Sequence, residues 1–153
     1  MIEDLVLKNT IFVQNDVKAE VFTCQEGLSF WGGVDADTGV IIDSHHSDYR
    51  ASLSGRIVLM SSSRGSCSGS GVLLQLARKG FAPAALVFRE AEDILTLGAM
   101  IAERLFGHPV AVLRLTPTVY DALSKVDMAE IKNDMLKFSN QSILLSRPDT
   151  QSL

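Results

Sequence analysis

The run Arg56-Ile57-Val58-Leu59-Met60, then Ser61-Ser62-Ser63-Arg64-Gly65-Ser66-Cys67-Ser68-Gly69-Ser70-Gly71, then Val72-Leu73-Leu74-Gln75-Leu76-Ala77, decides how this chain reads. The first piece is a short apolar run of the kind buried strands show. The last places Val72, Leu73, Leu74, Leu76 and Ala77 on an apolar helical face that stops at Gly80. Between them lie ten small or polar residues and one arginine. A helix entered this way presents backbone N–H groups that have no partner inside the helix and carry partial positive charge. Glycine allows close backbone approach, serine supplies hydroxyls, and arginine supplies a rigid fork of donors. The junction suits an anion, a carboxylate or an incipient alkoxide, and the rest of the chain is read as its support.

On the N-terminal side, Leu5 to Phe30 reads as short strands, with alternating residues in Lys18–Thr23 and again in Leu28-Ser29-Phe30-Trp31. Gly32-Gly33 interrupts them. Asp35-Ala36-Asp37-Thr38-Gly39 is a turn by composition, and Val40-Ile41-Ile42 resumes an apolar strand. This glycine-rich piece fits both a plain hairpin turn and a lining of the site. His45 and His46 follow in a polar stretch that ends at Tyr49-Arg50. Lacking further ligands at suitable spacing, they read as a solvated loop and not as a metal site.

On the C-terminal side, strands and helices alternate. Ala84–Phe88 reads as a strand, and Glu92–Phe106 as a helix whose face is Ile94, Leu95, Leu97, Ile101, Ala102 and Leu105. Gly107 and Pro109 stop that helix, Val110–Leu113 is the next strand, and Thr116-Pro117 starts a helix that runs to Lys125. Met128–Ile131 and Ile143–Leu145 are candidate closing strands, and 147–153 reads as a frayed end; residues 126–153 are otherwise unassigned. The pattern predicts an α/β domain, a sheet or partial barrel flanked by helices, as one unit over residues 1–153.

With 153 residues, 46% of them hydrophobic and 21% charged, the chain has the composition of one globular domain. The net charge is -4 and no basic block occurs, which argues against a nucleic-acid partner. Two distant cysteines, Cys24 and Cys67, with no leader at Met1-Ile2-Glu3-Asp4, point to a reduced, cytoplasmic protein. No apolar run approaches the roughly 20 residues that cross a bilayer, so no membrane association is expected. A mean hydropathy of +0.19 with few aromatics leaves room for an apolar contact with a partner.

Three chemistries compete with a loop that merely caps a helix. Phosphate cradling fails on spacing: G-x-x-x-x-G-K-[ST] is absent, and Gly69-Ser70-Gly71 lacks a third glycine at Leu74. A nucleophile elbow is matched by Gly65-Ser66-Cys67-Ser68-Gly69, with Asp93 and His108 as the order-matched partners of a Cys67 hydrolase. Such short motifs also match by chance. The third is a serine base. A serine hydroxyl takes a substrate proton only where surrounding N–H groups, an arginine or a helix N-terminus stabilise its alkoxide, and this loop offers all three around Ser62. Arg64 then suits a substrate carboxylate or phosphate. Dehydration also needs the departing hydroxyl protonated or bound to a Lewis acid, for which this chain shows no ligand set.

Ser62-Ser63-Arg64 at a strand end resembles the serine-serine-arginine element of the aconitase swivel domain. Ser61–Gly71 with the following Val-Leu-Leu, Trp31–Asp43, and Asp93–Ala99 together resemble the swivel domain, or small subunit, of the aconitase X family, over roughly Leu5 to Leu123. The resemblance implies a β/β/α three-layer or partial-barrel fold. It implies a hydro-lyase in which Ser62 is the base and Ser63, Arg64, Gly65 and Ser66 bind a small carboxylate substrate. It further implies a large catalytic subunit that holds an iron–sulfur cluster, which accounts for the missing half of the site. Aconitase proper follows the arginine with glutamate and histidine; Gly65 and Ser66 here argue against citrate or isocitrate. Two substrates remain, cis-3-hydroxy-L-proline and 5-phosphomevalonate. A charged content without hyperthermophile-like Lys/Glu enrichment tilts the choice to the first, with a stand-alone carboxylate-binding module as the non-catalytic alternative.

Overall fold

The computed structural model describes residues 8–148. Strands β1 (Thr10–Val13), β2 (Val17–Thr23), β4 (Ile57–Met60), β6 (Ala85–Phe88), β7 (Ala111–Arg114), β8 (Met128–Lys132), β9 (Met135–Phe138) and β10 (Gln141–Leu144) build one sheet. Their order is β1-β7-β6-β4-β2-β8-β9-β10. The central strands β2, β4, β6 and β7 are parallel, while β1 and β8–β10 run antiparallel at the two sides.

All four residues of β4 and of β6 are buried. Continuous burial is what a parallel sheet covered on both faces requires, since successive side chains point to opposite faces and neither face meets water. Val58, Met60, Leu86, Phe88 and Val112 enter the core under helices α2 (Gly69–Lys79) and α3 (Ile94–Phe106). Ile57, Leu59, Ala85, Val87 and Leu113 enter a second core. Helix α4 (Pro117–Leu123) covers that core with Tyr120 and Leu123, and Ile131, Leu136 and Phe138 of β8 and β9 pack into it too. Strands at the far side of the sheet can share a core with the central ones only if the sheet curls, which gives the expected partial barrel.

The tail therefore forms three strands where the sequence reading offered two. Its hairpins turn at Asn133-Asp134 and Ser139-Asn140; Ser139 and Asn140 both have positive φ, the geometry of a tight two-residue hairpin. Arg147 bonds Gln14 and Asp134, whereas 149–153 of the expected frayed end, and Met1–Asp4, lie outside the described residues.

Helix α2 buries Val72, Leu73, Leu76 and Ala77 as its spacing predicts, and Gly80 closes it in the left-handed conformation. Leu73 and Leu76, with no exposed surface, each contribute about 1.5–3 kcal/mol of burial. Helix α3 differs from expectation. It buries Leu95, Thr96, Gly98, Ala99 and Ala102, and leaves Leu97 and Leu105 at the surface. The reason is close approach to α2: a Cβ on Gly98 would stand 3.1 Å from the Ser70 carbonyl oxygen, so the contact face is the one lined with small residues.

Between β2 and β4 the chain leaves the sheet. The strand expected over Leu28–Trp31 stops after two residues, β3 (Leu28–Ser29), and becomes the short kinked helix α1 (Phe30–Gly33), with Gly32 at φ 79°. Val40–Ile42 forms no strand; Ile41 bridges Val34 and Val40 bridges Ser52, which folds the excursion onto itself. A positive-φ glycine inside Phe30–Gly33 turns the backbone out of any ladder it could have extended.

Candidate active site: the serine–arginine loop

The loop after β4 sits at the end of the sheet where the parallel strands finish. Ser61 anchors it there by accepting the amides of Arg89 and Glu90, which follow β6. Strand β5 (Ser63–Arg64) then pairs with β3 in parallel, Leu28 opposite Ser63 and Ser29 opposite Arg64. The excursion between β2 and β4 thus clamps the loop. Gly65 fits this clamp because its φ is +90° and because a Cβ there would lie 2.3 Å from Ser29 Oγ.

Each loop side chain goes to a definite partner. Half-buried Ser62 donates from Oγ to the Ala91 carbonyl at 3.3 Å. Ser63 donates to Glu92 Oε1 at 2.5 Å. Glu92 accepts the Leu95 and Thr96 amides as well, at 2.9 and 3.0 Å, so it caps α3 in place of Asp93, whose side chain makes no cap bond. One carboxylate therefore ties the loop to the start of a helix. Arg64 is mostly exposed and reaches Glu26, Nη1 to Oε2, at 3.5 Å. Gly27 admits this path: a Cβ there would stand 3.0 Å from Arg64 Cγ and 3.0 Å from the Ser62 carbonyl oxygen. Ser66 accepts the Ser68 amide on its hydroxyl at 3.3 Å.

The start of α2 differs from the sequence expectation. The amides of Gly69, Ser70 and Gly71 donate to the carbonyls of Ser66, Cys67 and Ser68 at 3.1–3.2 Å. The loop winds into a tight turn and uses these donors itself. The Arg64 guanidinium is directed to Glu26. The first amides of α2 are therefore not free to meet an anion.

The Cys67 elbow is not assembled. Ile57, Ala85 and Ala111 are in register at one end of the parallel strands and Met60, Phe88 and Arg114 at the other. Cys67 follows Met60, whereas His108 precedes Ala111, so the two residues are attached at opposite ends of strands roughly 10 Å long.

Sequence reasoning missed Glu26 and Glu92 as partners and misplaced His46. His45 is exposed as expected, but His46 is buried, because its Nδ1 accepts the Asp48 amide at 3.0 Å and holds the ring inward. Its Nε2 faces Glu26 Oε1 at 3.9 Å. The Ser47 amide bonds Glu26 Oε1 at 3.1 Å, and this bond, with His46 and Arg64 nearby, holds the Glu26 carboxyl below its usual range against a smaller effect of burial. The only available signal was an acidic residue next to a glycine, too common to single out. Beside the loop, a cavity of about 460 Å³ is lined by Phe12, Phe88, Glu92, Thr96, Met100 and Arg114. Ser62 and Arg64 do not line it; it touches their loop through Ala91 and Glu92.

Residues 6–138 match the description of the aconitase X swivel domain. The chain belongs to the aconitase X swivel-domain family. The match runs past Leu123, through β8 and β9. A cis-3-hydroxy-L-proline dehydratase from Hypocrea jecorina is 44% identical over 116 residues, covering 76% of this chain and 20% of that protein. The chain thus spans about a fifth of that relative's length. A phosphomevalonate dehydratase small subunit from Methanopyrus kandleri is 43% identical over 98 residues, 63% of this chain and 73% of that subunit. Aconitase X from Thermococcus kodakaraensis, solved in its holo-form, superposes with a TM-score of 0.70 at 27% identity, covering 92% of this chain and 98% of the matched one. Both dehydratases are of the aconitase X type, and the swivel domain is the part that this chain shares with them.

Proposed function

We propose that this chain is the small, swivel-domain subunit of an aconitase X-type hydro-lyase, a single domain over residues 1–153 that becomes an active dehydratase with a larger partner. What carries the reading is a Ser62-Ser63-Arg64 loop clamped at the finishing end of the parallel strands of a swivel domain. Ser62 is the base, removing the proton next to the substrate carboxylate, and Arg64 binds that carboxylate through its fork. Ser63, Gly65 and Ser66 flank the substrate. Alone, Ser62 donates to a carbonyl, and a hydroxyl so placed stays protonated; closing against a partner is what would bring further donors to its oxygen.

The cofactor of this reading is an iron–sulfur cluster, and it belongs to the partner. Residues of this chain do not fit one: Cys24 is buried in the core, Cys67 is exposed on the loop, and no group of three or more His, Cys, Asp and Glu side chains converges among the described residues. The substrate in the first reading is cis-3-hydroxy-L-proline, supported by the 44% identity of this chain to that dehydratase. The second reading, 5-phosphomevalonate, is supported by a relative whose own length this chain largely covers. The setting is the cytoplasm with no nucleic-acid or membrane partner; no helix among the described residues is long and apolar enough to cross a membrane.

The test is reconstitution with a large aconitase X-type chain under anaerobic conditions, assayed on both substrates. Turnover of one substrate by the pair, and none by this chain alone, is the expected result. Turnover by the large chain alone at the same rate would remove this chain from the reaction.

A further inference from the structure

Among the described residues, one buried side-chain polar atom has no hydrogen-bond partner: His46 Nε2. The residue is 7% exposed. Because Nδ1 accepts the Asp48 amide, the ring proton is on Nε2, and Nε2 is a donor. A buried donor without an acceptor is costly, so a structure that keeps one calls for an explanation. The facing acceptor is Glu26 Oε1, too far at 3.9 Å for a hydrogen bond.

Glu26 is drawn the other way. Its Oε2 meets Arg64 at 3.5 Å, longer than a well-formed charge-assisted bond, while Oε1 takes the Ser47 amide at 3.1 Å. It stands between two donors and reaches neither at full strength. The Arg64 stem passes over Gly27, where only a glycine leaves it room. On the other side, Asp48 holds the turn that carries His46, its carboxylate accepting the Gln25 amide at 2.9 Å.

We propose that Glu26 is the counter-ion Arg64 releases when a substrate carboxylate arrives, and that the buried His46 N–H then takes Glu26 over. This rests on the reading that Arg64 binds the substrate carboxylate. A guanidinium binds one carboxylate best in bidentate form, so the incoming group displaces Glu26. Left beside the substrate without a new donor, the displaced carboxylate would repel it. A movement of about 1 Å brings Oε1 from 3.9 Å to hydrogen-bond distance of Nε2, with the Ser47 amide as pivot. The exchange converts an unmet donor of the free protein into a bond of the loaded one and so favours substrate binding. Glu26 and His46 are positioning residues; neither touches substrate.

The experiment measures KM and kcat for cis-3-hydroxy-L-proline and 5-phosphomevalonate on the assembled two-chain enzyme. His46→Phe, which keeps a ring and removes the donor, should raise KM about 3- to 10-fold while kcat stays within about twofold. His46→Gln, whose amide nitrogen can stand where Nε2 stands, should restore KM. Glu26→Gln, which removes the competing charge, should lower KM, and His46→Phe added to it should have no further effect. If His46→Phe fails to fold, the direction of the Glu26→Gln change decides. A raised KM in Glu26→Gln, an unchanged KM in His46→Phe, or a His46→Phe effect undiminished on the Glu26→Gln background overturns the proposal. Arg64→Ala separates the two levels: an unchanged KM there brings down the reading of Arg64 itself. A raised KM with no coupling between Glu26 and His46 brings down this inference alone.

Discussion

The serine–arginine loop and the β8–β10 extension are secured in different ways. The extension is held by backbone ladders and by alternating burial, with Ala129, Ile131, Leu136 and Phe138 turned into the second core. The loop has a two-residue ladder and a backbone anchor at Ser61, and beyond these it depends on side chains from distant segments: Glu92 on Ser63, Glu26 on Arg64, Ser29 around Gly65. Backbone pairing fixes position whatever the side chains are, whereas a loop pinned by carboxylates leaves its backbone exposed and its hydroxyls near the surface. That is a weak way to build a core and a suitable way to present polar groups to a ligand.

The sharpest way to break the comparison is a change on each side. In the loop, Ser62→Ala should lower kcat of the assembled enzyme about 10²- to 10⁴-fold, about 3–5 kcal/mol in the barrier, with little change in KM or melting temperature. A variant within a few-fold of wild type would take Ser62 out of the mechanism. In the extension, Ile131→Ala, at a site with no exposed surface, should cost about 2–5 kcal/mol of stability. Chemical denaturation reads that loss, and kcat per folded molecule should stay level.

Gly65→Ala falls between these. The new Cβ meets Ser29 Oγ and the backbone keeps a positive φ, so a cost of about 1–3 kcal/mol and a fall in kcat should appear together. If stability alone fell, the clamp on the loop would be separable from its function.

The smallest effect sharpens the comparison through pH. Glu26 has its folded pKa depressed, first by the Ser47 amide, so its contribution is present above the unfolded carboxylate pKa and lost as pH falls through the lower folded value. Melting temperatures of wild type and Glu26→Gln should therefore differ slightly at neutral pH and converge in acid below the usual carboxylate range. A gap that persisted there would assign the difference to packing instead of charge.

The sequence by itself determined the strand–loop–helix unit, because continuous apolar runs such as Ile57–Met60 and helix stops such as Gly80 and Gly107 are local signals. Gly80 and Gly107 indeed take the left-handed cap, and Thr116 accepts the Val119 amide ahead of Pro117 as its type predicts. The serine–serine–arginine string was legible for the same reason. What only the tertiary structure decided is everything that depends on residues far apart in the chain. Leu97 and Leu105 look like core on a helical wheel, yet close packing of Gly98 on Ser70 turns inward the face that Leu95 and Ala102 share with Gly98 and Ala99. His46 looks like a loop residue, yet a turn that needs its Nδ1 buries it. The free amides read at the start of α2 are satisfied by the loop's own carbonyls. Glu26 is 38 residues from Arg64 and Glu92 is 29 from Ser63. Periodicity reports what one segment can bury; which carboxylate meets which hydroxyl is set by how segments are brought together, and no local pattern encodes that.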